Sequence, residues 1–333
     1  MKTVHVPIKE KSYDVHIQKG LLFNVDKFIS PKKEIVIITD NNIPKEYINI
    51  LKDKLNVTFT IVLDAGEGLK CFTQVDSVIN ELLSKNIPRS VTLVALGGGV
   101  IGDLTGFIAS IYMRGVDFIQ IPTSLLAQVD SSVGGKVGIN TNSMKNAVGS
   151  FYQPLVVLID PNTLETLEDR HFNNGMAELI KHGVIAGKTL FKELLDKKPK
   201  DNIEELIYQS VTIKRDVVIQ DVEDKGIRQL LNFGHTIGHA LEQHSKYKLL
   251  HGESIAIGMS LMAKGTPYEE DLLTIFRKFN LPTTHDYDIE DLYKYILTDK
   301  KVFEGQLNHI VVEEIGNAFV KTMSVENIKG YLR

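Results

Sequence analysis

At 333 residues the chain is long for a single hydrophobic core, so two domains are expected. A formal charge of −4, with acidic and basic side chains mixed along the sequence, gives no field that would gather nucleic acid or an anionic membrane, which leaves small molecules as the expected partners. Met1-Lys2-Thr3-Val4-His5 lacks the apolar core of a signal peptide, no stretch approaches the ~20 apolar residues that span a bilayer, and the single cysteine allows no internal disulfide, so a cytoplasmic protein is predicted.

Up to about residue 160, β-branched runs alternate with amphipathic segments, the pattern of βα units feeding a Rossmann-like, largely parallel sheet. Glu34 to Asp40, Val91 to Leu96 and Asp117 to Pro122 are the clearest buried strands. Asp40, at the end of the first, is placed either to accept hydrogen bonds from a ribose or to cap a turn. Cys71 reads as an ordinary semi-buried thiol rather than a nucleophile.

The second strand runs into Gly97-Gly98-Gly99-Val100-Ile101-Gly102-Asp103, which opens a helix expected over Asp103 to Tyr112. Glycines there let the backbone approach a ligand, and free N–H groups at a helix start favour the pyrophosphate of a dinucleotide. Agreement with G-x-G-x-x-G is literal, yet the motif lies far from the N-terminus and no acidic residue follows at the usual distance. A tight strand-to-helix turn without a ligand would produce the same string.

Val129 to Lys136, followed by Lys145-Asn146, has the outline of a P-loop. The first required glycine is missing, however, and valine follows the lysine where serine or threonine should bind magnesium, which excludes a nucleoside triphosphatase. Lys136, Lys145 and Arg114 stand among Gly, Ser and Asn, which points to an anionic substrate carrying phosphate or carboxylate.

After about residue 162 helical periodicity takes over, as in Leu190 to Leu195, Ile203 to Val217 and Leu272 to Phe279. In this half, His235 and His239 lie four residues apart on one helix face, a familiar spacing for zinc ligands. No Glu follows His235, so the H-E-x-x-H logic of a zinc protease fails. Glu178 and Lys181 would share another helix face, where a local salt pair worth a few tenths of a kcal/mol is the plain explanation. Three histidines, His235, His239 and His251, and one glutamate in Gly-flanked apolar segments favour a bound metal; spacing alone names His235 with His239 as the paired ligands. The expected division, near Pro161, is an α/β domain over 1–160 and a mainly α-helical domain over 161–333.

Gly97 to Phe107, Tyr112 to Gly115, Pro122 to Lys136, Lys145-Asn146, Ala177 to Gly183, Leu231 to His239 and His251-Gly252-Glu253, in this order, resemble the 3-dehydroquinate synthase family of sugar-phosphate cyclases. The resemblance implies an NAD- and zinc-dependent lyase of the shikimate pathway, with cobalt able to stand in for zinc; it makes 1–160 the NAD-binding domain and 161–333 the metal- and substrate-binding domain, with the active site in the cleft between them. Its reaction converts 3-deoxy-D-arabino-heptulosonate 7-phosphate to 3-dehydroquinate and phosphate through transient oxidation, phosphate elimination, reduction and intramolecular aldol closure. It implies Glu178, His235 and His251 as metal ligands, which moves His239 to a substrate or proton-relay role. For NAD it implies Asp40, Asn42, Glu67, Lys70, Gly98, Gly99, Val100, Asp103, Thr123 and Ser124, with Thr163 and Thr166 in a further cofactor-contacting turn. For substrate it implies Asp130, Lys136, Lys145, Asn146, Lys181, Arg228, Asn232 and His239, with either Lys300 or Lys301. Lys181 is left to bind the substrate's carboxylate or one of its hydroxyls. Arg114 resembles a residue that reaches into the neighbouring subunit's site, which implies a homodimer.

One departure is local: between Gly258-Met259 and Asp271 the chain is shorter than the family pattern, and Lys264-Gly265-Thr266-Pro267 interrupts an expected helix. Competing readings are a cyclase acting on another sugar phosphate, a polyol or glycerol-phosphate dehydrogenase of similar architecture, and a catalytically silent NAD-binding regulator.

Overall fold

The computed structural model describes residues 1–9, 11–141, 144–197, 199–297 and 302–333. The chain divides into two compact units, Met1–Glu168 and Asp169–Arg333.

In the first unit, β1 (Lys2–Val6), β2 (Tyr13–Ile17), β3 (Ile35–Asp40), β4 (Val57–Leu63), β5 (Thr92–Gly97), β6 (Asp117–Pro122) and β9 (Val156–Ile159) form a seven-stranded sheet in the order β1-β2-β9-β6-β5-β3-β4. β1 pairs antiparallel with β2, and the other neighbouring pairs are parallel. A separate antiparallel ribbon joins β7 (Lys136–Ile139) to β8 (Val148–Phe151). β3 reads as an unbroken apolar run because both of its faces are covered. Val36 and Ile38 pack with residues of α2 (Phe72–Ser84) and α3 (Gly99–Ile111), while Ile35 and Ile37 meet Ile48 and Leu51 of α1 (Lys45–Lys54). Each such isoleucine contributes roughly 1.5–3 kcal/mol through burial.

β3 lies between β4 and β5, so the strand order reverses there, and the carboxyl ends of strands beside such a reversal are where doubly wound sheets take ligands. Thr39 is in register with Leu96, and Gly97 with Pro122, so Asp40, the Gly97–Gly99 turn and Thr123–Ser124 all leave the same edge of the sheet. α3 begins at Gly99 rather than at the expected Asp103, its first turn closed by Gly102 N–H donating to the Gly98 carbonyl at 3.1 Å.

The units part after Glu168, beyond the boundary expected at Pro161. The 3₁₀ turn Pro161–Thr166 stays with the first unit because Asp160 accepts from Gly20 and Asn162 N–H through one oxygen (2.9 and 3.0 Å) and from Leu22 N–H through the other (3.0 Å). Gln128 Nε2 adds bonds to the carbonyls of Pro122 (3.1 Å) and Asp160 (3.2 Å).

The second unit is helical: α4 (Asp169–Ala186), α5 (Lys188–Asp196), α6 (Ile203–Val218), α7 (His235–His244), α8 (His251–Ala263), α9 (Glu269–Lys278) and α10 (Ile289–Leu297). It also carries a three-stranded antiparallel sheet that the helical reading did not anticipate, of β10 (Val302–Phe303), β11 (Gln306–Glu314) and β12 (Asn317–Ser324). Gly316, at φ 89, turns β11 into β12, and its N–H donates to the Val184 carbonyl at 2.8 Å, which hooks the hairpin onto α4. α8 stops at Ala263, and Lys264 to Pro267 lie in the turn before α9, with Gly265 at φ 76. Among the described residues no helix is long and apolar enough to cross a membrane.

Candidate metal centre and dinucleotide cradle

Glu178 lies in the middle of α4 and is fully buried. His235 and His251 are the first residues of α7 and α8. Glu178 Oε1 sits 3.4 Å from His235 Nε2 and 3.3 Å from His251 Nε2. That oxygen has no hydrogen-bond partner of good geometry, an expensive state for a buried carboxylate. Ligands held about 2.1 Å from a tetrahedral zinc stand ~3.4 Å from each other, so this spacing is what a shared cation requires. The donor atoms of Glu178, His235 and His251 form one of the close clusters among the described residues able to hold a metal.

The imidazoles are turned to offer Nε2. His235 Nδ1 lies 3.1 Å from the Phe233 carbonyl, which can only accept, so the proton sits on Nδ1. His251 Nδ1 faces the Glu242 carboxylate at 3.4 Å, with the same consequence. In the metal-free state burial, aided by the Lys181 charge and opposed by Glu178, pushes His235 down to about 3. Burial also acts against a charge on His251, but Glu178 and Glu242 overcome it and raise His251 to about 9. Burial favours neutral Glu178, yet Lys181 and His235 outweigh it and hold the carboxyl well below its usual range. Lys181, itself buried, pairs with the other oxygen, Oε2. His239 is beside this centre but is not one of its close donors: its ring is 5.3 Å from that of His235 and 5.8 Å from that of His251. The pairing of His235 with His239 suggested by helical spacing is therefore replaced by one in which His251 arrives from a different helix.

Glycines let the three helices approach closely enough. A Cβ on Gly252 would stand 2.0 Å from the Asn174 carbonyl oxygen of α4, and one on Gly258 would stand 2.1 Å from the Gly234 carbonyl oxygen that precedes α7. The start of α8 is then fixed from outside. Asn174 Oδ1 accepts from Gly252 N–H at 2.6 Å, Glu253 accepts from Leu250 N–H at 2.8 Å, and Arg170 of α4 clamps the Glu253 carboxylate at 2.7 and 2.8 Å. Asn174, Arg170 and Glu242 were not anticipated from sequence; only their neighbourhood with Glu178 and His239 could have signalled them. Replacing Asn174 with alanine leaves the Gly252 N–H buried without its acceptor, an expected loss of about 1–3 kcal/mol. Thermal unfolding with a parallel metal-affinity measurement should show both stability and metal binding reduced.

In the first unit, the N-terminus of α3 carries no side-chain cap, so its first-turn N–H groups, including those of Gly99 and Val100, suit phosphate oxygens. Gly98 precedes this turn and Ser124 lies across from it, while a Cβ on Gly99 would stand 2.9 Å from Ser131 Oγ and oblige that hydroxyl to move. Thr123 is buried, and its N–H donates to the Gly97 carbonyl at 3.0 Å. Asp40 accepts from Asn42 N–H at 2.9 Å through Oδ1, so one oxygen does cap a turn; burial, opposed by that bond, raises its carboxyl. Lys70 links Asp103 to Asn146: its Nζ donates to Asp103 Oδ2 at 2.7 Å and also to Asn146 Oδ1, while Glu67 Oε1 lies 3.9 Å from the same ammonium.

Lys136 is exposed at the start of β7, Asp130 is half-buried in the π-helical turn Ala127–Ser131, and Lys145 is half-buried before Asn146. Arg114 is exposed on a turn where Met113, Arg114 and Gly115 all have positive φ (48, 63 and 111), a strained run of the kind found at functional contacts. Arg228 is buried, its Nη1 donating to the Val222 carbonyl at 2.6 Å, and Asn232 ends the 3₁₀ segment Ile227–Asn232. The Thr163 hydroxyl spends its proton on the Asp160 carbonyl at 2.8 Å and accepts from Gln128 at 3.0 Å, while Thr166 meets Tyr47 at 3.1 Å. These threonines thus shape their turn, and the Thr163 hydroxyl keeps no proton for a ligand. Lys300 and Lys301 lie outside the described residues.

The model of the family described as 3-dehydroquinate synthase N-terminal matches residues 60–174, and that described as 3-dehydroquinate synthase C-terminal matches residues 175–302. The curated 3-dehydroquinate synthase of Clostridium botulinum (strain Alaska E43 / Type E3) is 45% identical over 354 aligned residues, covering 99% of this chain and 100% of that protein. The chain belongs to the 3-dehydroquinate synthase family. The 3-dehydroquinate synthase of Streptococcus mutans serotype c is 42% identical, covering 99% of each. Among solved structures, 2-epi-5-epi-valiolone synthase from Streptomyces hygroscopicus subsp. jinggangensis 5008, with NAD+ and Zn2+ bound, superposes with a TM-score of 0.87 at 28% identity over 98% of this chain and 97% of that one. A 2-deoxy-scyllo-inosose synthase complexed with carbaglucose-6-phosphate, NAD+ and Co2+ has the same fold, with a TM-score of 0.88 at 24% identity over 100% of this chain and 99% of that one. A probable glycerol dehydrogenase from Sinorhizobium meliloti 1021 follows at a TM-score of 0.64 and 14% identity over 96% of this chain and 95% of that one, which places this member of the 3-dehydroquinate synthase family nearer the cyclases in fold than that dehydrogenase.

Proposed function

We propose that the chain is a cytoplasmic 3-dehydroquinate synthase that converts 3-deoxy-D-arabino-heptulosonate 7-phosphate to 3-dehydroquinate and phosphate. The observation that carries this reading is the clustered Glu178, His235 and His251 donor set within a chain that aligns end to end with curated members of the family. When bound, NAD supplies a transient hydride acceptor, and zinc, or cobalt in its place, a Lewis acid that acidifies a substrate hydroxyl and polarises the derived carbonyl.

The chain's own groups bind and orient. Lys181, held by Glu178, has N–H donors left for a substrate carboxylate or hydroxyl. His239, beside both ligand imidazoles, is the group placed to move a proton there. Lys136, Lys145 and Asn146 hold the phosphate, joined by Arg114 of a second copy in a homodimer, for which the strained, outward-facing turn at 113–115 is suited. Asp130, Arg228 and Asn232 restrict the sugar to reactive conformers, and such orientation offsets many kcal/mol of entropy. Asp40, Asn42, Glu67, Lys70 and the turn Gly98 to Asp103, with Thr123 and Ser124, hold the dinucleotide.

Incubating the zinc- and NAD-loaded protein with the heptulosonate phosphate is expected to release phosphate without net NADH. A chelator should stop turnover and zinc restore it. Absence of phosphate release, or steady NADH accumulation as in a dehydrogenase, overturns the assignment, whereas release only from another sugar phosphate replaces the substrate and keeps the chemistry.

A further inference from the structure

Asn140 follows β7 and precedes the segment that carries Lys145 and Asn146. Three of its polar groups bond, each to a different residue. Its N–H donates to the Lys70 carbonyl at 2.7 Å, its Nδ2 donates to Glu67 Oε1 at 2.9 Å, and its Oδ1 accepts from Asn146 N–H at 2.8 Å. Lys70 closes the ring through Asn146 Oδ1 and Asp103, and its side chain is only 5% exposed. Asn146 has φ 51, a left-handed conformation that non-glycine residues keep only when surrounding contacts hold it.

We infer that Asn140 is a positioning residue that couples dinucleotide binding at Glu67 and Lys70 to phosphate anchoring at Lys145 and Asn146. The inference rests on the proposed assignment of those residues to the two ligands. A dinucleotide that fixes Glu67 and Lys70 also fixes the Asn140 amide, and through it the backbone of Asn146. The phosphate then meets an anchor already ordered and loses less conformational entropy on binding. Reciprocity requires that phosphate tighten the dinucleotide by the same factor. The side-chain bonds of Asn140 face solvent, so they add little to fold stability, and a purely structural role would leave this coupling unchanged.

The test is calorimetric titration of the zinc-loaded, full-length protein with NAD+, with and without saturating inorganic phosphate. In the wild type, phosphate should tighten NAD+ roughly 5-fold or more, the lower range of measured couplings. Asn140→Ala, which loses both side-chain bonds, should bring that ratio close to one, with an unchanged thermal midpoint. Asn140→Asp keeps the acceptor for Asn146 but sets a carboxylate against Glu67; it should lose the coupling while keeping the wild-type affinity for phosphate alone. A wild-type ratio of one, or a wild-type ratio retained in both variants, overturns the inference; should the alanine variant fail to fold, the aspartate variant decides. Turnover of the heptulosonate phosphate is scored separately in the wild type, so a failed substrate assignment is not confused with absent coupling.

Discussion

Glutamine at position 178 is expected to leave the second unit folded and to empty its metal centre. Glu178 Oε2 holds Lys181, and Oε1 lies between His251 Nε2 and His235 Nε2, the latter with a lone pair because burial holds that imidazole neutral. A glutamine can keep its carbonyl on Lys181 and turn its amide N–H toward His235 Nε2, and His251 then loses one of the two carboxylates that keep it charged, so the fold can be kept while the anionic ligand is gone. Metal affinity should fall by more than the roughly 100-fold that follows loss of an outer partner. A Lewis acid supplies several kcal/mol of transition-state stabilisation, so turnover should drop by about 10³ or more. Glu178→Ala is the informative contrast: it strands the buried ammonium of Lys181 and should destabilise the protein by about 3–5 kcal/mol. The discriminating measurements are metal content after dialysis and the rise in thermal midpoint on adding zinc. The wild type should gain roughly 2.7 kcal/mol at a hundredfold excess over its dissociation constant, and Glu178→Gln should gain nothing. A Glu178→Gln protein that retains full metal content would remove Glu178 from the ligand set.

What the sequence discloses follows from how local the cause is. β3 and β5 are legible because burial on both faces demands nearly unbroken β-branched and apolar runs, and β6 keeps most of such a run around the buried Gln120. β12, Asn317–Ser324, stays half-exposed and carries Lys321 and Asn317, so it leaves no such run, and the sheet it belongs to is invisible within a helical half. Asn173-Asn174-Gly175 is made of poor helix formers, yet α4 runs through it, with the Asn174 side chain bonded outward to α8. The site divides in the same way. A helical repeat groups His235 with His239, but which imidazole shares a cation with Glu178 depends on how closely α8 packs against α7, a non-local fact that periodicity does not carry. The resemblance names His251 directly, and the donor atoms of Glu178, His235 and His251 lie within 4.8 Å of one another. Asn140 escaped both routes: its partners Glu67 and Lys70 lie far away in sequence, and no spacing rule joins them.

Alanine at Gly258 should weaken metal binding without touching a ligand. The added Cβ would stand 2.1 Å from the Gly234 carbonyl oxygen and 3.1 Å from the Gly238 N, both backbone atoms with no rotamer to yield. Relief therefore requires α8 to withdraw from α7 by roughly 1 Å, and overpacking of this kind costs about 1–3 kcal/mol. Asn174 and Glu253 still pin the first turn of α8, so the helix must pivot about the end that carries His251. A cation accepts ligand distances only within about 0.2 Å, so even a fraction of that displacement falls outside its tolerance. Metal affinity is expected to fall at least about tenfold, more than stability loss alone accounts for. Gly265→Ala separates the two effects. Nothing lies within 4 Å of its Cβ position, but its φ of 76 strains an L-residue by about 1–2 kcal/mol, so it should lower the thermal midpoint comparably while leaving metal affinity intact. Equal metal affinity in Gly258→Ala and the wild type would mean that the centre tolerates movement of α8, and that its geometry is set by the first-turn clamp of Asn174, Glu253 and Arg170 alone.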